Sequence, residues 1–138
     1  MLEFNLFLID YWYFSVPLFF FIFLFAYSEM NKGGKKIEPN ELTRLINKES
    51  AILIDLRKKE DYENGHIMNA LNYPHQEFDN QMHELEKFKD RPIILVCDMG
   101  RNSANIGEKL KKAEFEKTFM LNGGMMTWTQ ENLPVIQK

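Results

Sequence analysis

Tyr11 to Tyr27 reads YWYFSVPLFFFIFLFAY, an unbroken uncharged run that divides the chain in two. For a buried core helix, the alternative to a membrane span, so many phenylalanines and no polar face would be unusual. Leu6 to Ile9 extends the run past Asp10, giving 22 residues counted from Leu6. Roughly 20 apolar residues cross a bilayer as a helix. Tyr11, Trp12 and Tyr13 suit one membrane interface and Tyr27 the other. Pro17 is tolerated in a membrane helix but can kink it, and Asp10 is costly unless it stays wet near one end. A basic n-region, a short apolar core and a small-residue cleavage site, which mark a signal peptide, are not evident. Residues 1–30 are therefore predicted to be a single transmembrane anchor.

The flanking charges orient it. No lysine or arginine precedes the run, whereas Lys32, Lys35 and Lys36 follow closely. The positive-inside rule then places the amino terminus outside and the rest of the chain in the cytoplasm. Cys97 is the only cysteine, so no internal disulfide can form, and a reducing compartment is the easier reading. Residues 31–36, with Gly33-Gly34, read as a flexible juxtamembrane linker. Residues 37–138 are left as one domain.

Setting aside Glu3, Asp10 and Glu29, the remainder has 17 acids against 17 bases. This balance gives no electrostatic footprint for nucleic acid. The apolar pattern alternates between strand and helix. Helices are expected over 39–47, 59–64, 78–88, 103–113 and 125–131, and strands over 51–56, 70–73, 93–97 and 118–121. Pro39 suits a helix start, and Ser103 is a candidate N-cap. Strands that are apolar throughout and alternate with helices imply an α/β fold, a central parallel sheet covered on both faces.

In such sheets ligands bind beyond the carboxyl ends of the strands. Cys97 falls there, after Pro92-Ile93-Ile94-Leu95-Val96 and before Asp98-Met99-Gly100-Arg101-Asn102-Ser103. A thiol at a helix start faces backbone N–H groups and the positive end of the helix dipole, a setting that favours the nucleophilic thiolate. Gly100 permits a backbone that turns amides inward. Arg101 adds a planar cationic fork for an oxyanion, while Asp98 works against a negative sulfur. The bland alternative is a cysteine that acts as a small hydrophobe at a strand end.

The loop C-D-M-G-R-N-S resembles the six-residue active-site loop of single-domain rhodaneses, of the form C-x-x-G-x-x followed by serine or threonine. IEPNELTRLI, LIDLRKKEDYENGHIMNALNYP and FMLNGGMMTW resemble other landmarks of that family in the same order. The similarity runs from Ile37 to about Pro134. One amino-terminal membrane helix with one such domain is similar to a membrane-anchored bacterial group, which implies the inner membrane. The resemblance implies a rhodanese-like fold and a sulfurtransferase without a cofactor. Cys97 would take a sulfane sulfur from thiosulfate or a persulfide, hold it as a persulfide, and pass it to a thiol or cyanide-like acceptor. This is covalent catalysis that splits one transfer into two steps.

The amides of Asp98, Met99, Gly100, Arg101, Asn102 and Ser103 would cradle the substrate, with Arg101 assisting the donor. Asp55 and Arg57 match the family's D-x-R and are read as structural support, as is His66, by hydrogen bonding to backbone. Glu60 and Tyr62 join the same scaffold, Gly123 and Gly124 serve a turn, and Trp128 serves the core. His75 and His83 lack metal-ligand spacing with Cys97, and no metal is implied. Phosphatases of the same fold have a loop one residue longer that ends in arginine. Ser103 occupies the sixth place after Cys97, so the bidentate phosphate clamp is missing. The remaining alternative is a membrane-tethered binding module with weak or no catalysis, joined to an integral-membrane or sulfur-relay partner.

Overall fold

The computed structural model describes residues 1–30 and 34–137, apart from the side chains of Glu29, Met30 and Arg101. Two compact units divide near residue 31. The first holds helices α1 (Leu2–Asp10) and α2 (Trp12–Met30). This corrects the expectation of one transmembrane helix. No single helix among the described residues is long and apolar enough to cross a membrane. Leu2–Asp10 and Trp12–Ser28 meet that test only together, with a 94° bend between them. The break falls at Tyr11, whose φ of -114° and ψ of 36° leave the helical region. Its N–H still closes the last turn of α1 on Phe7 O, while its carbonyl accepts from Phe14 N and Ser15 N to begin α2. Pro17 sits inside α2 without ending it.

The second unit is a five-stranded parallel sheet. In chain order it contains β1 (Lys35–Ile37), α3 (Pro39–Glu49), β2 (Ile52–Asp55), α4 (Lys59–Asn64) and β3 (Leu71–Asn72). There follow α5 (Phe78–Gln81), a 3-10 helix (Met82–Phe88), β4 (Ile93–Val96), α6 (Arg101–Lys112), β5 (Thr118–Leu121) and α7 (Gly124–Gln130). The strand order is β1-β5-β4-β2-β3, every pair parallel. Central β4 is buried at all four positions, as a strand covered on both faces must be.

Its side chains alternate between two cores. Ile94 and Val96 join Leu42, Leu45, Met125 and Trp128 on one face. Ile93, Leu95 and Cys97 join Phe78, Leu85, Ile106 and Leu110 on the other. Each such buried side chain contributes roughly 1.5–3 kcal/mol, so the strand that leads to Cys97 is firmly held.

Three local readings change. Lys35 and Lys36, expected in the linker, are strand residues paired with Phe119 and Met120; residues 31–33 of that linker lie outside the described residues. Helix 78–88 is an α-helical turn followed by a 3-10 segment. The helix after Cys97 starts at Arg101 with Gly100 at its N-cap, so Ser103 is not the cap but the third helical residue.

Candidate active site

Cys97 follows the last residue of β4 and is 2% exposed. Its Sγ accepts the Gly100 N–H at 2.8 Å, a contact that strengthens when the acceptor carries charge. Gly100 reaches this geometry with φ at +91°, a conformation that L side chains rarely adopt. Two residues of the short helix α7 hold the loop from behind. Met125 N–H donates to Cys97 O at 2.8 Å, and Met126 N–H donates to Asp98 O at 3.1 Å.

Gly124 makes that approach feasible. A Cβ there would lie 2.1 Å from Cys97 O and 2.8 Å from both Asp98 C and Asp98 O, at a φ of +59°. Gly124 therefore builds the floor of the site as well as the turn expected of it. Ser103 is fully buried, and its Oγ has no hydrogen-bond partner among the described residues. A buried hydroxyl left unpaired costs about 1–3 kcal/mol. Met99 and Asp98 are exposed at the loop's tip. Arg101 opens α6, with its side chain outside the described residues.

Asp55 and Arg57 form a second constellation below the loop. The Arg57 guanidinium donates to both Asp55 carboxylate oxygens, Nη2 to Oδ2 at 2.8 Å, and also to Gly65 O at 2.6 Å. The Arg57 backbone N–H reaches Asp55 Oδ1 at 3.0 Å. Burial pulls the Arg57 pKa down, but the hydrogen bond and charge of Asp55, with Asp98 and Asp61 in range, raise it overall. Arg57 thus places a permanent cation within electrostatic reach of Asp98.

His66 stacks on Tyr62 with ring centroids 3.8 Å apart and sets Nδ1 2.7 Å from Tyr62 O. That carbonyl can only accept, so Nδ1 carries a proton. Tyr62 in turn donates its hydroxyl to Ala70 O at 2.6 Å. The His66 backbone bridges Ile136 in both directions, so the histidine ties α4 to the carboxyl-terminal segment. Trp128 is buried in the core and donates Nε1–H to Pro134 O.

The fold also brings His75 to the loop. Its Nδ1 lies 3.4 Å from Asn102 Nδ2 and 3.4 Å from Leu56 O, and its backbone N–H donates to Leu56 O. Sequence spacing gave no sign of this, because 27 residues separate the pair. Among the described residues, no group of three His, Cys, Asp or Glu side chains converges to hold a metal.

A cysteine on a glycine-capped loop, at the carboxyl end of a parallel sheet, defines an α/β protein built around one thiol site. The chain belongs to the rhodanese-like family, whose domain, the Rhodanese-like domain, matches residues 38–131. It is 36% identical over 123 residues to the uncharacterised protein YibN of Escherichia coli (strain K12), a match covering 88% of this chain and 86% of that one. This match is longer than the domain, so the likeness extends back into α2. Thiosulfate sulfurtransferase GlpE of Shewanella oneidensis is 28% identical over 98 residues, covering 71% of this chain and 95% of GlpE. Among solved structures, a rhodanese-related protein from Thermoplasma volcanium has a TM-score of 0.68 at 25% identity, covering 75% of this chain and 99% of that one.

Proposed function

We propose that this rhodanese-like protein is a sulfurtransferase in which Cys97 carries a sulfane sulfur as a persulfide. The observation that carries the reading is the Gly100 N–H held 2.8 Å from Cys97 Sγ. It is a donor already aimed at the sulfur, on a loop that α7 fixes from behind. Such preorganised donors stabilise charge as it develops, without reorganisation during the reaction.

In the first step the Cys97 thiolate attacks the outer sulfur of thiosulfate or of a persulfide. The donor's S–S bond breaks, and its electron pair leaves on sulfite or on the donor thiolate. In the second step cyanide or a thiolate attacks the sulfur held on Cys97, and the electron pair returns to Sγ. No external oxidant or reductant is needed. The Ser103 hydroxyl, buried without a partner among the described residues, is a donor held in reserve for the loaded state. Arg101 and the amides of Asp98 to Ser103 bind the anionic donor, and Arg57 offsets the charge of Asp98. Asp55 and Arg57 brace each other and Gly65 O, and His66 ties α4 to the carboxyl-terminal segment; all three are structural and do not react.

The similarity to thiosulfate sulfurtransferase GlpE favours thiosulfate as the first donor to try. The bent pair α1 and α2 exposes Trp12, Phe14, Phe21, Phe25 and Tyr27. Aromatic surface on that scale belongs in lipid or against an apolar partner, which supports tethering to a bacterial inner membrane as a broken span or re-entrant segment. Lys35 and Lys36 on its carboxyl-terminal flank favour a cytoplasmic domain. An integral-membrane partner would then pack on the aromatic surface of α1 and α2, and a sulfur-relay partner would meet the domain. Thiocyanate production from thiosulfate and cyanide by the full chain in detergent tests the activity. Turnover that is abolished in Cys97→Ser supports it, and turnover that survives Cys97→Ser refutes it.

A further inference from the structure

A cavity of about 800 Å³ lies between α4 and α5 and is lined by no residue of the cysteine loop. A smaller one of about 330 Å³ lies beside the loop, lined by Lys36, Met99, Gly100, Met120, Asn122 and Gly123 among others. Gly100 joins it to the chemistry, because the residue that donates to Cys97 Sγ is also a wall of the cavity. At about 30 Å³ per water, 330 Å³ has room for on the order of ten water-sized groups. This exceeds what the five atoms of thiosulfate need, so the cavity suits an organic ligand.

Its lining specifies the ligand further. Among the described residues Lys36 is the only cationic side chain in the wall, and it makes no ion pair there. Asn122 spends Nδ2 on Glu38 Oε1 at 2.9 Å, which leaves its carbonyl oxygen as an acceptor. The same bond keeps the Glu38 carboxylate near the rim, so the site does not suit a ligand of high negative charge. Met99 and Met120 supply soft, polarizable thioether surface.

We infer that this cavity receives the acceptor of the second step and that Lys36 selects a small thiol carrying a single carboxylate. The inference rests on the persulfide reading above. The ligand's thiolate attacks the outer sulfur of the Cys97 persulfide, forming a new S–S bond. The old bond to Sγ breaks, its electron pair stays on Sγ, and the carboxylate remains paired with Lys36. Lys36 is thus a specificity residue, supplied by the strand that immediately follows the amino-terminal unit.

The test uses the full chain in detergent, loaded with thiosulfate, and compares 3-mercaptopropionate with 2-mercaptoethanol as acceptors. The ratio of their kcat/KM values is expected to fall about two- to fivefold in Lys36→Gln, the scale of an exposed ion pair, and further in Lys36→Glu. Added salt should narrow the wild-type preference, and Lys58→Gln, in the other cavity, should leave it unchanged. A ratio untouched by both Lys36 variants overturns the inference.

A second readout needs no turnover. Titration with the unreactive thioether 3-(methylthio)propionate should shift the methyl NMR signals of Met99 and Met120 saturably, and more weakly in Lys36→Glu. Shifts without sulfur transfer would overturn the persulfide reading but not the cavity. Transfer without saturable shifts would overturn the cavity but not the persulfide.

Discussion

Gly124→Ala probes how the cysteine loop is held. The added Cβ would sit 2.1 Å from Cys97 O, and residue 124 would have to keep a φ of +59°. The left-handed conformation costs an L residue roughly 1–2 kcal/mol. Relieving the clash means moving α7 away from the loop, which gives up the Met125 and Met126 hydrogen bonds to Cys97 O and Asp98 O. At about 0.5–1.5 kcal/mol each, the total loss is roughly 2–5 kcal/mol. Gly100→Ala supplies the contrast. It also has a positive φ, but its Cβ would meet nothing closer than Gly123 N at 3.9 Å. Only the conformational cost applies, about 1–2 kcal/mol. Denaturant titration of the full chain in detergent, followed by the fluorescence of Trp128 in α7, measures both losses. Sulfur loading should also slow in Gly124→Ala. A Gly124→Ala protein as stable as wild type, or more stable than Gly100→Ala, would refute the described seating of α7 on the loop.

Two further outcomes follow from the scaffold. Asp55→Ala leaves the part-buried Arg57 guanidinium without its counterion and should cost up to about 3–5 kcal/mol; Arg57→Met added to it should recover part of that loss, and a double variant no better than the single one would contradict the pair. Burial raises the phenol pKa values of Tyr62 and Tyr73, with the charge of Asp55 adding to the first and Glu84 to the second. A raised acid keeps its proton longer in the folded state, so this stability is complete below the ordinary phenol value of about 10. It is lost as pH rises through the folded values. Ultraviolet titration should show delayed ionisation that Tyr62→Phe and Tyr73→Phe each diminish.

The domain was legible in the sequence wherever a strand was long and apolar. Ile93 to Val96 is hydrophobic at every position, and its loop and helix follow in unbroken order, so the strand, the cysteine loop and the helix could be located from residues alone. Lys35-Lys36-Ile37 was not legible, since two lysines beside glycines carry no strand pattern. Only pairing with β5 makes them a strand. The break at Tyr11 was not legible because a uniformly apolar run carries no signal for where a helix turns. Gly124 carried a turn signal, yet its close approach to Cys97 O joins residues far apart in sequence. The same holds for His75 and Asn102. Ser103 has the chemistry of an N-cap, but Gly100, free to take positive φ, starts the helix first.

Above all, Cys97 is proposed to hold a sulfane sulfur within the loop capped by Gly100. Intact-protein mass spectrometry of the full chain after thiosulfate or persulfide treatment measures it most directly. A persulfide on Cys97 gives a gain of one sulfur atom, removed by cyanide and absent in Cys97→Ser. No adduct from either donor, or an adduct that persists in Cys97→Ser, would contradict it.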